Sequence, residues 1–440
     1  MRGRGKAAVL LGCVALMGGL VGACGDDSDS GGGGGSTSSD SGGGESANAK
    51  VIDPASMDGA KGEITYCQGK DTAGNAKALI EGFNQKFQSQ GITAKLVEFP
   101  ADAGQQRAQF VQRQEAKSGE CDVFSSDVIW TAEFASQGWI YDMTPYVESK
   151  KSDFIPAVLE TATYNDKIWA VPNTSDAAFI YYHTDKVKEV PQTWQDVYSE
   201  AGQKGGIVYQ GAAYEGLTCD FLEIAFAAGG SVISEDGKKS TFNSPENVKA
   251  LQFMMDGIKN GDAPKAVVTY MEEESRRAFE ANRAVFMRNW PYAYAAGKKN
   301  KDAAKFDVAP FPEFEGGGKA GILGGHNDVI SVYSKNPGAA LALVDYSLSP
   351  EHQIELAADF SLPPATSAPY DDPSVQKALP FAPELKQAIE QAKARPVSPV
   401  YPQISEAIYT NVNAALAGSM SAEDAIKKAD DQINQALATF

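Results

Sequence analysis

The sequence predicts an α/β protein of two lobes, each a mostly parallel sheet flanked by helices, with a cleft at the hinge between them. Three observations carry this. Short apolar runs alternate with amphipathic helical runs over residues 63–124, helix-start signals recur in the second half, and three segments lead from a polar loop into apolar chain with no helix between. Alternation at this interval favours parallel strands joined by crossover helices.

The elements follow in order. Residues 63–67 read as a strand, and 76–88 as a helix with Leu79, Ile80, Phe83 and Phe87 at helical spacing. Residues 93–99 are a strand, 105–116 a helix and 121–124 a buried strand. In such sheets ligands bind beyond the carboxyl ends of the strands. Asp127 and the loop 68–74, followed by Asn75, fall there. Further on, Ser244 before Pro245, and Ser421 three residues before Asp424, each cap a helix. Their apolar stripes (Leu251, Met254 and Ile258; Ile426, Ile433 and Leu437) read as core.

Three candidate crossings set the lobe boundaries. They are residues 170–183, where a polar loop holding Asp176 enters an apolar strand; 321–333, where Gly324-Gly325 precedes Val329-Ile330; and 360–366. They divide the body into 61–173 plus 329–363, and 176–326 plus 366–440.

Ahead of the body, Arg2, Arg4 and Lys6 precede an apolar, glycine-broken run and small residues before Cys24, so residues 1–23 read as a secretory signal. The run is short for a membrane span. Residues 24–60 are expected to be a flexible Gly/Ser linker, of which the Gly- and Ser-rich stretch 25–50 has a reach of about 30 Å.

The formal charge is −18, and loss of the three basic residues of the signal takes it to about −21. Nucleic acid and anionic membrane surfaces are therefore poor partners. Cys67, Cys121 and Cys219 remain in the mature chain without metal-type spacing, and there are three histidines, so neither metal nor cofactor is expected. Cys67 ends one predicted strand and Cys121 begins another, which would set them at opposite ends of a parallel sheet. A disulfide between them stays open but is not expected.

The sequence is similar over nearly the whole body to the extracellular solute-binding proteins of carbohydrate ABC transporters, and within them to the trehalose/maltose-binding branch. The motifs are Cys121-Asp-Val-Phe with Ser126-Asp127-Val128, Tyr214-Glu-Gly-Leu, Asn289-Trp-Pro-Tyr, Leu323-Gly-Gly325 and Tyr401-Pro-Gln-Ile. Val21-Gly-Ala-Cys24 resembles the lipobox of bacterial lipoproteins. The resemblance implies a type II periplasmic-binding-protein fold, a lipid on Cys24 as the sole membrane attachment, a monomer, and delivery of sugar to a permease.

It also implies site residues. Asp127 and Asp176 would grip sugar hydroxyls, Trp290 would stack on the ring and Tyr214 would pack from the second lobe, with Arg107, Asn75, Gly325 and His326 around them. A sugar offers an apolar C–H face and a rim of hydroxyls, which suits flat aromatics beside charged groups. Asp127 is equally suited to cap a helix. Two positions depart from the branch: His326 stands where relatives place a tryptophan, and an arginine they carry near Thr366 is missing. Capture of another solute is the alternative. A glycosidase built on the paired carboxylates is a weaker one, because neither a barrel repeat nor a Gly-x-Ser-x-Gly nucleophile motif accompanies them.

Overall fold

The computed structural model describes residues 49–440, so the signal, Cys24 and most of the linker lie outside the described residues. Eleven strands follow in order: β1 (Gly62–Gln68), β2 (Ile92–Glu98), β3 (Val123–Asp127), β4 (Thr163–Tyr164), β5 (Lys167–Ile168), β6 (Val171–Asp176), β7 (Phe179–His183), β8 (Ile207–Val208), β9 (Phe286–Asn289), β10 (Phe306–Ala309) and β11 (Gly324–Ile330). One sheet has the order β2-β1-β3-β11-β6, a second the order β10-β7-β9-β8, and β4-β5 form a hairpin.

The first sheet grows from the alternation of strands and helices. Helix Asn75–Phe87 carries the chain from β1 to β2 and helix Ala103–Glu115 from β2 to β3, so β1 pairs in parallel with both neighbours. Ala76, Leu79, Ile80 and Phe83 bury one face of the first helix, and Phe87 packs at its margin. β11 returns much later and inserts antiparallel between β3 and β6. In the second sheet two of the three pairings are antiparallel, and only β8 with β9 is parallel. The cause is local: β7 and β9 are not joined by a single crossover helix, and β7 enters directly from the first sheet.

The crossings lie close to the expected segments but not at the expected residues. β6 and β11 run whole within the first sheet, so the first crossing is the buried pair Ala177-Ala178 and the second precedes Gly324. The third expected crossing, 360–366, stays with the first sheet. There Thr174 bridges Pro364, Phe154 bridges Thr366, and Ser175 N donates to Pro363 O at 3.0 Å. Two adjacent prolines cannot supply donors to a ladder, which suits them to cover the edge of β6. The chain meets the second crossing at Lys393, which bridges Ile322.

The linker also ends sooner than residue 60. Val51 pairs with Asp142, Lys50 Nζ donates to Val332 O at 2.7 Å, and Ile52 is buried. Asp53 then caps a short turn over Pro54–Met57.

Cys67 and Cys121 form a disulfide, with Cα atoms 5.9 Å apart. The expectation of opposite ends took Cys121 as part of the strand. The strand starts at Val123 and is staggered against β1: Val123 pairs with Tyr66 and Phe124 with Cys67, so the start of β3 lies level with the end of β1 and Cys121 reaches Cys67.

Two capped helices complete the second half. Ser244 accepts from Asn247 N at 3.2 Å and Ser421 from Asp424 N at 3.1 Å, each cap contributing roughly 1 kcal/mol. They turn Leu251, Met254, Ile426 and Ile433 into one core with helix Glu215–Ala227.

Candidate ligand-binding site

A cleft of about 270 Å³ opens where Gln68, Asp127 and Asp176 end β1, β3 and β6 and where Gly324, Gly325 and His326 begin β11. Because β11 is antiparallel, its first residues fall at the same end of the sheet, and His326 pairs with Asp127. Trp290, just past β9, and Tyr214, at the start of helix Glu215–Ala227, enter from the side of the second sheet.

Of the predicted site residues, Asn75, Asp127, Asp176, Tyr214, Trp290, Gly325 and His326 line this cleft. Arg107 does not. It faces Glu133 and forms a two-pronged ion pair with it, Nε to Oε2 at 2.6 Å and Nη2 to Oε1. Glu133 is buried, and a buried carboxylate holds its cation closely.

Asp127 lines the cleft and takes the capping role open to it in the sequence. Its Oδ1 accepts from Ile129 N at 3.2 Å, capping the turn that follows, and lies 3.2 Å from Arg395 Nη2. Asp176 is different: its Oδ1 is buried with no hydrogen-bond partner. Burial pushes its pKa up to about 8; Arg288 opposes the shift and Asp127 adds to it.

The two glycines bring these groups together. A Cβ at Gly324 would lie 3.1 Å from both Asp176 Cβ and the Trp290 ring, so a side chain there would push carboxylate and indole back by a few tenths of an ångström. Gly325 has φ +118°, and a Cβ there would lie 2.3 Å from Thr174 O. At the next residue the pairing of β11 with β6 shifts register, and His326 N donates to Thr174 Oγ1 at 3.2 Å. Burial lowers the His326 pKa, with Asp127 opposing, so its imidazole is neutral at neutral pH.

Trp290 rests on Arg288, whose guanidinium carbon is 4.0 Å from the ring centroid. Arg288 is itself fully buried, paired with Asp220 at 2.9 Å and Glu223 and donating to Gln210 Oε1 at 2.7 Å. Tyr214 Oη lies beside Glu272, which helps burial raise its pKa, yet meets no partner in bonding geometry.

Among the cleft residues that the sequence did not single out are Arg395, Glu215 and Glu272. Arg395 Nη1 donates to Glu215 Oε1 at 2.7 Å, and Glu215 also receives Tyr401 Oη at 2.7 Å and Ser405 Oγ. Burial raises the Glu215 pKa, and Arg395 opposes the shift. Glu272 opens helix Glu272–Glu280. The signal for Arg395 was present: Pro396 after it biases the chain toward extended backbone, the mark of a crossing. Glu215 stood inside a quoted motif as the first helical residue.

Two lobes with a polar cleft at the strand ends define a type II solute-binding protein, which captures and releases without making a bond. The chain belongs to the bacterial extracellular solute-binding protein family, which matches residues 69–354, and is the substrate-binding component of an ABC transporter. It is 36% identical to a probable ABC transporter-binding protein of Deinococcus radiodurans, over 78% of this chain and 86% of that one. It is 23% identical to the maltodextrin-binding protein MdxE of Bacillus subtilis, over 87% and 91%. Among solved structures it is similar to maltose-bound T. maritima MalE3, with a TM-score of 0.80 and 35% identity, covering 85% of this chain and 99% of that one. Among the described residues no helix is long and apolar enough to cross a membrane.

Proposed function

We propose that the protein captures a di- or oligosaccharide, or a related glycoside of trehalose or maltose type, and hands it to a permease by closing two lobes on it. The first lobe is built on the five-stranded sheet and the second on the four-stranded sheet. The observation that carries this reading is the corner at Gly324, where the Trp290 ring and Asp176, whose Oδ1 is buried without a partner, both close on the same glycine. An apolar plate beside an open acceptor matches the two surfaces of a sugar ring. Asp127, Tyr214, Asn75, Gly325 and His326 complete the contacts. The sugar-binding relatives named above support this class of ligand.

Closure follows from the ligand's added contacts with the second lobe, which favour the closed form by their differential affinity. His326 in place of a stacking aromatic would leave the sugar one wall short and adapt the site to a different occupant. Arg395 supplies a guanidinium to the cleft from residue 395 rather than from near Thr366. A lipid on Cys24 would keep a monomeric body at the outer face of the membrane, with no other membrane contact.

Calorimetric titration of trehalose, maltose and longer glucosides into the wild type and Trp290→Ala tests this. At least one sugar should bind, and loss of the indole should weaken it at least about tenfold. Absence of binding by every sugar would overturn the reading.

A further inference from the structure

The charges around the cleft do not balance. Every cation near it is already engaged: Arg395 by Glu215 and Asp127, Arg288 by Asp220 and Glu223, and Lys70 by Glu98 at 3.1 Å. Among the acids, Glu273 has Arg276 at 2.7 Å. Asp176 and Glu272 are the cleft carboxylates left without an ion pair among the described residues. One lies at the end of β6 and the other at the start of a second-lobe helix, so closing the cleft would enclose both.

A carboxylate shut away from water is costly unless it meets a cation or takes up a proton. A neutral sugar supplies only hydroxyl donors. An ammonium group supplies charge and three donors together. We propose that the ligand of this cleft is a sugar carrying a protonated amine, received by Asp176 and Glu272 while Trp290 holds the ring. This rests on the carbohydrate reading and narrows it.

The geometry gives the amine an address. Arg288 already covers one face of the Trp290 indole, which makes that ring a poor second acceptor for a cation and leaves it to the sugar's C–H surface. Asp176, whose Oδ1 is buried without a donor, lines the cleft on the other side of Gly324. The raised pKa of Asp176 accords with an acid that lacks its cation.

Matched titrations of the full chain decide the matter, using trehalose against trehalosamine, maltose against maltosamine, and cellobiose against the glucosamine disaccharide and its N-acetylated form. An amine should bind about tenfold or more tightly than its neutral parent, and N-acetylation should abolish the gain. In Asp176→Asn, and separately in Glu272→Gln, the ratio within that pair should fall toward one. Sugars that bind with no preference for the amine, or a preference that survives both substitutions, overturn the inference and leave carbohydrate capture standing. Failure of every sugar, aminated or not, removes the carbohydrate reading itself and this inference with it.

Discussion

Arg288 lies 4.0 Å beneath the indole of Trp290 and is held there by Asp220 and Glu223, so the plate of the cleft is mounted on a buried charge cluster. Removing the cation strands two buried acids. Arg288→Met should therefore lower stability by roughly 3–5 kcal/mol in denaturant titration. Arg288→Lys should recover part of that stability but not ligand affinity, because a point charge lacks the flat face that seats the ring. Equal affinity in Arg288→Lys and wild type would mean that the mount does not position Trp290.

Asp176 gives a pH signature. Its pKa in the folded, ligand-free protein is about 8, against about 3.9 for an unfolded aspartate. The folded state therefore holds the extra proton between these values, so stability is highest below the lower one and declines as pH rises toward the upper. Asp176→Asn should flatten this slope and raise Tm at neutral pH. Asp328, pushed up to about 7 by burial with Tyr66 and Ser347 as donors, acts with the same sign, so some slope should remain. A melting series across pH in the two proteins checks this; identical slopes would contradict it.

Gly325 should tolerate no side chain. Its φ of +118° disfavours any other residue, and the added Cβ would run into the Thr174 carbonyl. Gly325→Ala should cost roughly 2–3 kcal/mol and lower affinity, whereas Gly318→Ala, with open space around it, should do neither. Calorimetry and thermal melts of the two variants make the comparison.

The Cys67–Cys121 bridge closes a span of 54 residues in the first sheet, linking the end of β1 to the approach to β3. A loop of that size gives roughly 2–5 kcal/mol of stabilisation. The double change to serine should lower the denaturation midpoint accordingly. Ligand affinity should change little, since neither residue lines the cleft.

The β2-β1-β3 part of the first sheet could be read from its strand–helix alternation because those two crossovers are local. That Asp127, Asp176 and Trp290 line the cleft has a local signature, in two strand ends and an Asn-Trp-Pro break. Arg107 and Arg395 show where that logic stops. Arg107 sits on a helix that could face either way, and its orientation is set by Glu133, 26 residues on. Arg395 reaches Asp127 across 268 residues and Glu215 across 180, and no local pattern encodes such a meeting. The disulfide was obscured by the stagger of β3 against β1, which neither strand's own sequence encodes. The third crossing was misplaced because two prolines serve equally well to cover an edge strand or to leave a sheet.

The insertion of β11 between β3 and β6 has a bearing on biogenesis. The first sheet cannot close until residue 330 has emerged, and the guanidinium of Arg395 is later still. Most of the second lobe must therefore be made before the first is complete, which favours late, slow folding dominated by distant contacts. For an extracellular protein this order is useful: a chain still in transit has no finished sheet to obstruct its passage and no assembled cleft in which to trap solute on the wrong side.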